Sequence, residues 1–161
     1  APTNKVTLYD QSSLLVRGMV IALSYGVKKV FWYELADNRI DVNDKEANFG
    51  ILFSDLSPKP AYVAYTILTR ILSAAQFKEK IDLGIKDTYG YLFSRANDDV
   101  IVLWTINKEG QPIAFHINAD KAKVVDVMGE ENLVYAKEGN ILLRLSQSPV
   151  YIIVQNQLNG S

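Results

Sequence analysis

The sequence contains no cysteine, so neither a disulfide nor a thiolate metal site can be built from it. It has a single histidine, His116, which excludes a zinc site of the usual multi-histidine kind. A Ser-His-Asp triad would have to use that same residue. His116 sits in the alternating run Ile113-Ala114-Phe115-His116-Ile117, and no G-x-S-x-G elbow occurs anywhere. It is therefore read as a half-exposed strand histidine. No excess of either charge is present: 17 basic residues stand against 18 acidic ones, and no run of like charges stands out. A nucleic-acid surface, which needs a basic patch or stripe, is not expected. No long hydrophobic run is present either. The apolar stretch from Leu14 to Leu23 is interrupted by Arg17 and is too short to span a bilayer, so no membrane partner is expected. No signal peptide is visible, and localisation stays open.

What remains is a chain of 161 residues with the composition of an ordinary globular protein. Its pattern changes near Phe77. Before that point the signals are helix, buried strand, helix; after it they are short strands and turns.

Thr7-Leu8-Tyr9-Asp10 has the T-x-x-D form of a capping box and opens a helix running from about Leu8 to Tyr25. Leu14, Leu15, Gly18, Ile21, Ala22 and Tyr25 follow helical spacing, and Gly26 supplies a terminator. The next run, Lys29-Val30-Phe31-Trp32-Tyr33-Glu34-Leu35, is β-branched, aromatic and apolar on both faces, which predicts a strand covered on both sides, as in a parallel α/β sheet. Residues 36–57 form a long polar loop of the kind that is usually functional or mobile. Pro58 and Pro60 lead into a second helix, expected from Ala61 to Gln76, with a stripe of Ala64, Ile67, Leu68, Ile71, Leu72 and Ala75. Seven strands are expected after that: Tyr89 to Ser94, Val100 to Thr105, Ile113 to Asn118, Lys123 to Val127, Leu133 to Ala136, Ile141 to Leu145 and Val150 to Gln155. Their regular spacing and turn chemistry predict an antiparallel sandwich or barrel.

The first half is expected to be incomplete, the alternative being a small α+β domain in which the strand at Val30 pairs with the later sheet. A strand apolar on both faces needs neighbours on both edges and helices over the sheet, and residues 1–77 offer one such strand. A full (β/α)8 barrel takes roughly 250 residues, and this chain has no room for seven more strands.

The stretch Asp10-Gln11, Leu15-Val16-Arg17, Gly26 to Leu35, Asn48-Phe49-Gly50-Ile51-Leu52 and Pro58-Lys59-Pro60-Ala61-Tyr62 resembles, in order, the end of the catalytic barrel in clan A glycoside hydrolases, closest in flavour to family 39. Val102-Leu103-Trp104-Thr105, Val125 to Gly129 and Ser148 to Ile152 are similar to the β-sandwich that often follows such barrels. The resemblance implies a fold class of α/β barrel end (helix, eighth strand, helix) followed by an all-β antiparallel sandwich, the barrel being incomplete in this chain. It implies residues 1–77 as the last part of the barrel and 78–161 as the sandwich. It implies a parent molecule acting on β-linked sugars by a retaining mechanism. That chemistry uses two carboxylates about 5 Å apart, and by the resemblance neither falls within this chain, which alone is expected to be inactive. Ser12 stands where such a helix usually carries alanine.

No catalytic residue, metal ligand or cofactor is therefore assigned. The expected partners are a carbohydrate substrate and the remainder of the barrel, on the same parent chain or another polypeptide. The candidate substrate-binding residues are Trp32, Glu34 and Asn38. Residues at the C-terminal ends of barrel strands face the active site, and the Trp32 indole offers a flat apolar face to a sugar ring. The resemblance also implies a cis peptide bond after Trp32. Glu34 shares the face of Trp32 by the two-residue period and could bind a hydroxyl or be a solvated strand end. Asp37, Asn38 and Arg39 open the loop over the site, where solvated loop residues are the blander reading. Asn48 and Phe49 are expected to shape the loop, with Gly50 in a turn conformation. Trp104 is expected between the sheets, and the carboxylate pairs Asp98-Asp99 and Glu130-Glu131 as solvated turn residues. The alternative role for the sandwich is a non-catalytic module that braces the barrel or itself binds carbohydrate.

Overall fold

The computed structural model describes residues 6–38 and 48–156. Two helices precede an antiparallel β-sandwich, and no closed barrel is formed among the described residues. Helix α1 (Leu8–Ser24) opens on the expected capping box. The Thr7 hydroxyl accepts the Asp10 N–H at 3.1 Å and the Asp10 carboxylate accepts the Thr7 N–H at 2.8 Å. The hydrogen bonds it accepts from the Thr7 N–H and hydroxyl hold the Asp10 carboxyl below its ordinary range. Gly26, at φ +77°, ends the helix in the left-handed region as expected.

The buried face of α1 is turned from the expected stripe. Leu15, Val16, Met19 and Val20 are buried, whereas Leu14 is 49% exposed. This helix is apolar nearly all round, so spacing alone does not choose the face. Ser12 and Ser13 are buried too, their hydroxyls bonded back to Leu8 O and Tyr9 O one turn earlier. Helix α2 (Pro60–Leu72) starts with proline at its first position and ends four residues before Gln76, the last residue expected in it. Ser73 leaves the helical region and Ala74 takes φ +59°, freeing Gln76 to enter a strand.

That strand, β1 (Gln76–Ile81), is not among those expected from the sequence, and a division of the chain at Phe77 falls at its second residue. Strands β2 (Thr88–Ser94), β3 (Asp98–Thr105), β4 (Gln111–His116), β5 (Lys121–Asp126), β6 (Glu131–Tyr135), β7 (Asn140–Leu145) and β8 (Val150–Gln155) match the expected seven within a few residues. They form a six-stranded sheet in the order β1-β2-β3-β8-β5-β6 and a two-stranded sheet, β4-β7, with antiparallel pairing throughout. The pairs Val102↔Tyr151 and Tyr91↔Val102 put one set of side chains on one face of the large sheet. Ile101↔Ile152 and Leu103↔Val150 put the other set on the opposite face.

The two faces serve different layers. Tyr91, Phe93, Val102, Trp104 and Tyr151 share one core with Leu15, Val16 and Met19 of α1 and Ala64, Leu68 and Ile71 of α2. Ile101, Leu103 and Ile152 share a second core with Ile113, Ile141 and Leu145 of the small sheet. Strand β3, buried on both faces from Val100 to Thr105, is the spine of the molecule. Trp104 is buried as expected but lies on the helix side of the large sheet, not between the sheets. Its parity with Val100 and Val102 decides this.

Tyr151 is wholly buried on the same face, and its hydroxyl has no hydrogen-bond partner among the described residues. Burial pushes the phenol pKa up, so the group stays neutral. A buried, unpaired hydroxyl is a net cost. Tyr151→Phe is accordingly expected to raise the unfolding free energy by about 1 kcal/mol in urea titrations. A loss of stability in that variant would show that the hydroxyl is bonded.

The carboxylate pairs are also more engaged than solvated turns. Asp98 opens β3 and pairs with Arg95, whose Nη1 reaches Ile71 O at the end of α2 (2.8 Å) and so ties helix to sheet. Glu131 opens β6 and meets Lys123 at 2.9 Å and Arg70 at 3.4 Å. The Lys123 hydrogen bond holds its carboxyl below the usual carboxylate range. His116 is exposed near the end of β4, with Nε2 3.2 Å from Asn118 Oδ1.

Candidate functional site

The run Lys29–Leu35 belongs to no sheet and bends at Tyr33 and Leu35. Among the described residues its one neighbouring bridge is the parallel contact Ala36↔Leu52. The backbone groups of residues 28–33 make no backbone hydrogen bond to other described residues. Its side chains are uncovered: Phe31 is 89% exposed, Tyr33 69% and Leu35 63%. The expected burial on both faces is thus not met among the described residues: the 48–53 loop bonds the run only at Trp32, Glu34 and Leu35, and no strand pairs with it. Beside it, an open apolar groove of about 270 Å³ runs between the helices, lined by Met19, Leu23, Val30, Tyr65, Leu68 and Leu72.

Trp32 is 36% exposed, and its indole N–H donates to Phe49 O at 3.0 Å. Gln11, on the first turn of α1, donates to the same carbonyl at 3.4 Å and to Gly50 O at 3.1 Å. The 48–53 loop therefore sets the ring edge and leaves the ring faces free of that bond. Glu34 is half-buried, and its backbone carbonyl accepts Ile51 N–H at 3.3 Å. Asn38 is exposed at the end of the described segment. Arg39 lies outside the described residues, as do Asn43 and Asp44. The cis peptide bond is Tyr33–Glu34, one residue later than the resemblance implied.

Asp37 is not a solvated loop residue. Its carboxylate is 12% exposed and meets Lys59 Nζ at 2.6 Å, and the same oxygen accepts Gly50 N–H at 3.0 Å. Its own N–H donates to Leu52 O at 3.0 Å. Lys59 is 2% exposed, also donates to Asn48 O at 3.3 Å, and lies 5.5 Å from the centre of the Phe53 ring. Reading the sequence for sugar-binding chemistry overlooks it. The available signal is a lysine held between Pro58 and Pro60, just ahead of an amphipathic helix. Gly50 corrects a second expectation. Its φ is not positive, and a Cβ there would come within 2.4 Å of Asp37 N and 2.6 Å of Ala36 C. Glycine is required by the close approach of two backbones, not by a turn.

No cluster of three or more metal-ligating side chains occurs among the described residues. The exposed aromatics of the large sheet, Tyr89 on β2 and Tyr135 on β6, are separated by three strands and form no line for a sugar chain.

No family model matches the chain, and no curated protein does. Among solved structures it is similar to a family 39 glycoside hydrolase from the gut symbiont Bacteroides cellulosilyticus, at 27% identity and a TM-score of 0.78. The match covers 90% of this chain and 30% of that one. A family 30 endoxylanase from Clostridium papyrosolvens matches at a TM-score of 0.66 and 10% identity, covering 96% of this chain and 40% of the other. The family 30 subfamily 8 xylanase of Clostridium acetobutylicum matches at 0.65 and 10%, covering 96% and 41%. At 10% identity the last two speak for the fold alone. The chain spans less than half the length of each of the three. Over nearly all its described length it has the architecture of part of a glycoside hydrolase, with the β-sandwich of the family 39 structure.

Proposed function

We propose that this chain is the C-terminal part of a clan A glycoside hydrolase that cleaves β-linked sugars with retention, the two catalytic carboxylates lying on portions of the molecule outside it. The observation that carries this reading is the run Lys29–Leu35. It is apolar on both faces and largely exposed, and its residues 29–33 make no backbone hydrogen bond to other described residues. In the proposed assembly it is the eighth strand of a parallel barrel, with the groove between α1 and α2 covered by neighbouring α/β units. Residues 1–77 complete the barrel. Residues 78–161 brace it through the core shared by α1, α2 and the six-stranded sheet, a role favoured by that continuous packing.

Trp32 then sits near the mouth of the barrel as an apolar platform for a sugar ring, its edge held by Phe49 O. Glu34 and Asn38 offer hydrogen-bonding groups to sugar hydroxyls or to side chains of the missing units. Bond cleavage belongs to the carboxylate pair elsewhere, one protonating the leaving oxygen and one attacking the anomeric carbon.

The test uses nitrophenyl β-glycosides. This chain by itself is expected to show no turnover above background. In the assembled molecule, Trp32→Ala should weaken binding by about 1 kcal/mol, roughly a five-fold rise in KM. Robust turnover by the isolated chain would overturn the assignment of the catalytic pair to another part of the molecule.

A further inference from the structure

We infer that Lys59 is a positioning residue for the Trp32 edge, acting through Asp37 and the 48–53 loop without touching a ligand itself. A buried ammonium is expensive to desolvate, and a methionine of similar length would fill the same space without that cost. What methionine cannot do is bridge a carboxylate and a carbonyl. Lys59 Nζ does so, at 2.6 Å from Asp37 Oδ1 and 3.3 Å from Asn48 O. Its backbone N–H also reaches Ile51 O at 3.1 Å, so one residue grips the loop on both sides of Phe49 and Gly50.

Asp37 extends the grip. The oxygen that receives Lys59 also receives the Gly50 N–H at 3.0 Å, which sets the peptide unit whose carbonyl belongs to Phe49. That carbonyl is the acceptor for the Trp32 indole N–H at 3.0 Å. The path from the ammonium to the indole therefore has three links, each a hydrogen bond or a peptide plane: Lys59 to Asp37, Asp37 to the Phe49–Gly50 peptide, and that peptide to Trp32. Gln11 holds the same loop from the α1 side, donating to Gly50 O at 3.1 Å, so the loop has few ways to shift while Lys59 is in place. Buried polar networks of this kind favour one arrangement because every alternative leaves a group unpaired.

The meaning of this device for catalysis rests on the proposed role of Trp32 as a sugar platform. Its test does not. The chain has two tryptophans, and Trp104 is buried in the sandwich, so the emission lost in Trp32→Phe identifies the Trp32 component. Three variants are compared with the parent protein: Lys59→Met, Asp37→Asn, and Lys59→Met with Asp37→Asn. The double variant removes the unpaired carboxylate that would destabilise Lys59→Met and keeps the protein folded for the measurement. Asp37→Asn retains an oxygen that both Lys59 and Gly50 can use, so its Trp32 emission and acrylamide quenching should match the parent's. In the double variant the Trp104 component and far-UV dichroism should stay as in the parent, while the Trp32 component shifts to longer wavelength and is quenched more strongly. Parent-like Trp32 emission and quenching in the double variant would overturn the inference, leaving Lys59 as a neutraliser of Asp37 only. A variant that keeps the parent Trp32 signature yet fails to bind sugar would count against the platform reading, not against this one.

Discussion

Trp104→Ala is expected to lower the unfolding free energy by about 3–5 kcal/mol, on the order of 10 °C in thermal midpoint for a domain of this size. The side chain is 1% exposed on the central strand β3 and is the largest of the fully buried side chains. It stacks on Tyr91 at 5.2 Å and 14° and on Tyr89 at 5.4 Å and 12°, so its removal takes away both area burial and two aromatic contacts. The hole would open in the layer that joins the six-stranded sheet to α1 and α2, where flanking residues are already held by β-pairing and cannot collapse freely. Trp104→Phe should recover most of the loss, and Tyr89→Ala, at a residue already 37% exposed, should cost less than Trp104→Ala. Equilibrium urea unfolding, monitored by far-UV dichroism, gives the comparison directly. A loss below about 1 kcal/mol for the alanine variant would show that the sheet does not depend on this layer.

Gly50→Ala is expected to be nearly as damaging, for a backbone reason. An added methyl would lie 2.4 Å from Asp37 N and 2.6 Å from Ala36 C, distances that no rotamer change can relieve because both atoms are main chain. The 48–53 loop would have to move away from residues 34–37. That breaks the contacts of Gly50 N with Asp37 Oδ1, Ile51 N with Glu34 and Leu35 O, and Leu52 N with Leu35 O. At roughly 1 kcal/mol for each hydrogen bond lost, the expected cost is about 3 kcal/mol. Gly18 supplies the control. It lies mid-helix in α1, where a Cβ would meet nothing within 4 Å, so Gly18→Ala should stabilise by roughly 0.5–1 kcal/mol. Thermal unfolding of the two variants should therefore shift in opposite directions. Equal shifts would contradict the close approach at Gly50.

Much of this architecture can be read from the residues, and the misses have definite causes. The capping box at Thr7, the glycine stop at Gly26 and seven strands follow from local chemistry that tertiary packing does not override. Strand β1 escapes pattern reading because of a bulge. Phe77 pairs with Phe93 and Ile81 with Gly90, with a register shift between Phe77 and Glu79. In a regular strand Phe77 and Ile81, four apart, would share a face. The bulge sends Phe77 to the core under the helices and Ile81 to the core between the sheets, so no alternation survives to be seen. Trp104 is expected on the wrong side of its sheet because alternation gives parity but not which layer covers which face. At the candidate site, the two-residue period nominates Trp32 and Glu34 as candidates, whereas Asp37 and Lys59, 22 residues apart, are joined only by the fold. Pattern reading detects periodicity within an element; it does not detect a pair made by two loops.

The exposed run at Lys29–Leu35 carries the proposed assembly, and native mass spectrometry of the protein isolated from its source tests that assembly most directly. Residues 1–161 are expected to occur together with further β/α units, as a mass well above 18.0 kDa and peptides from a barrel-like sequence, either in one continuous chain or in a tight complex. A stable, monodisperse 18.0 kDa monomer in that material would contradict it.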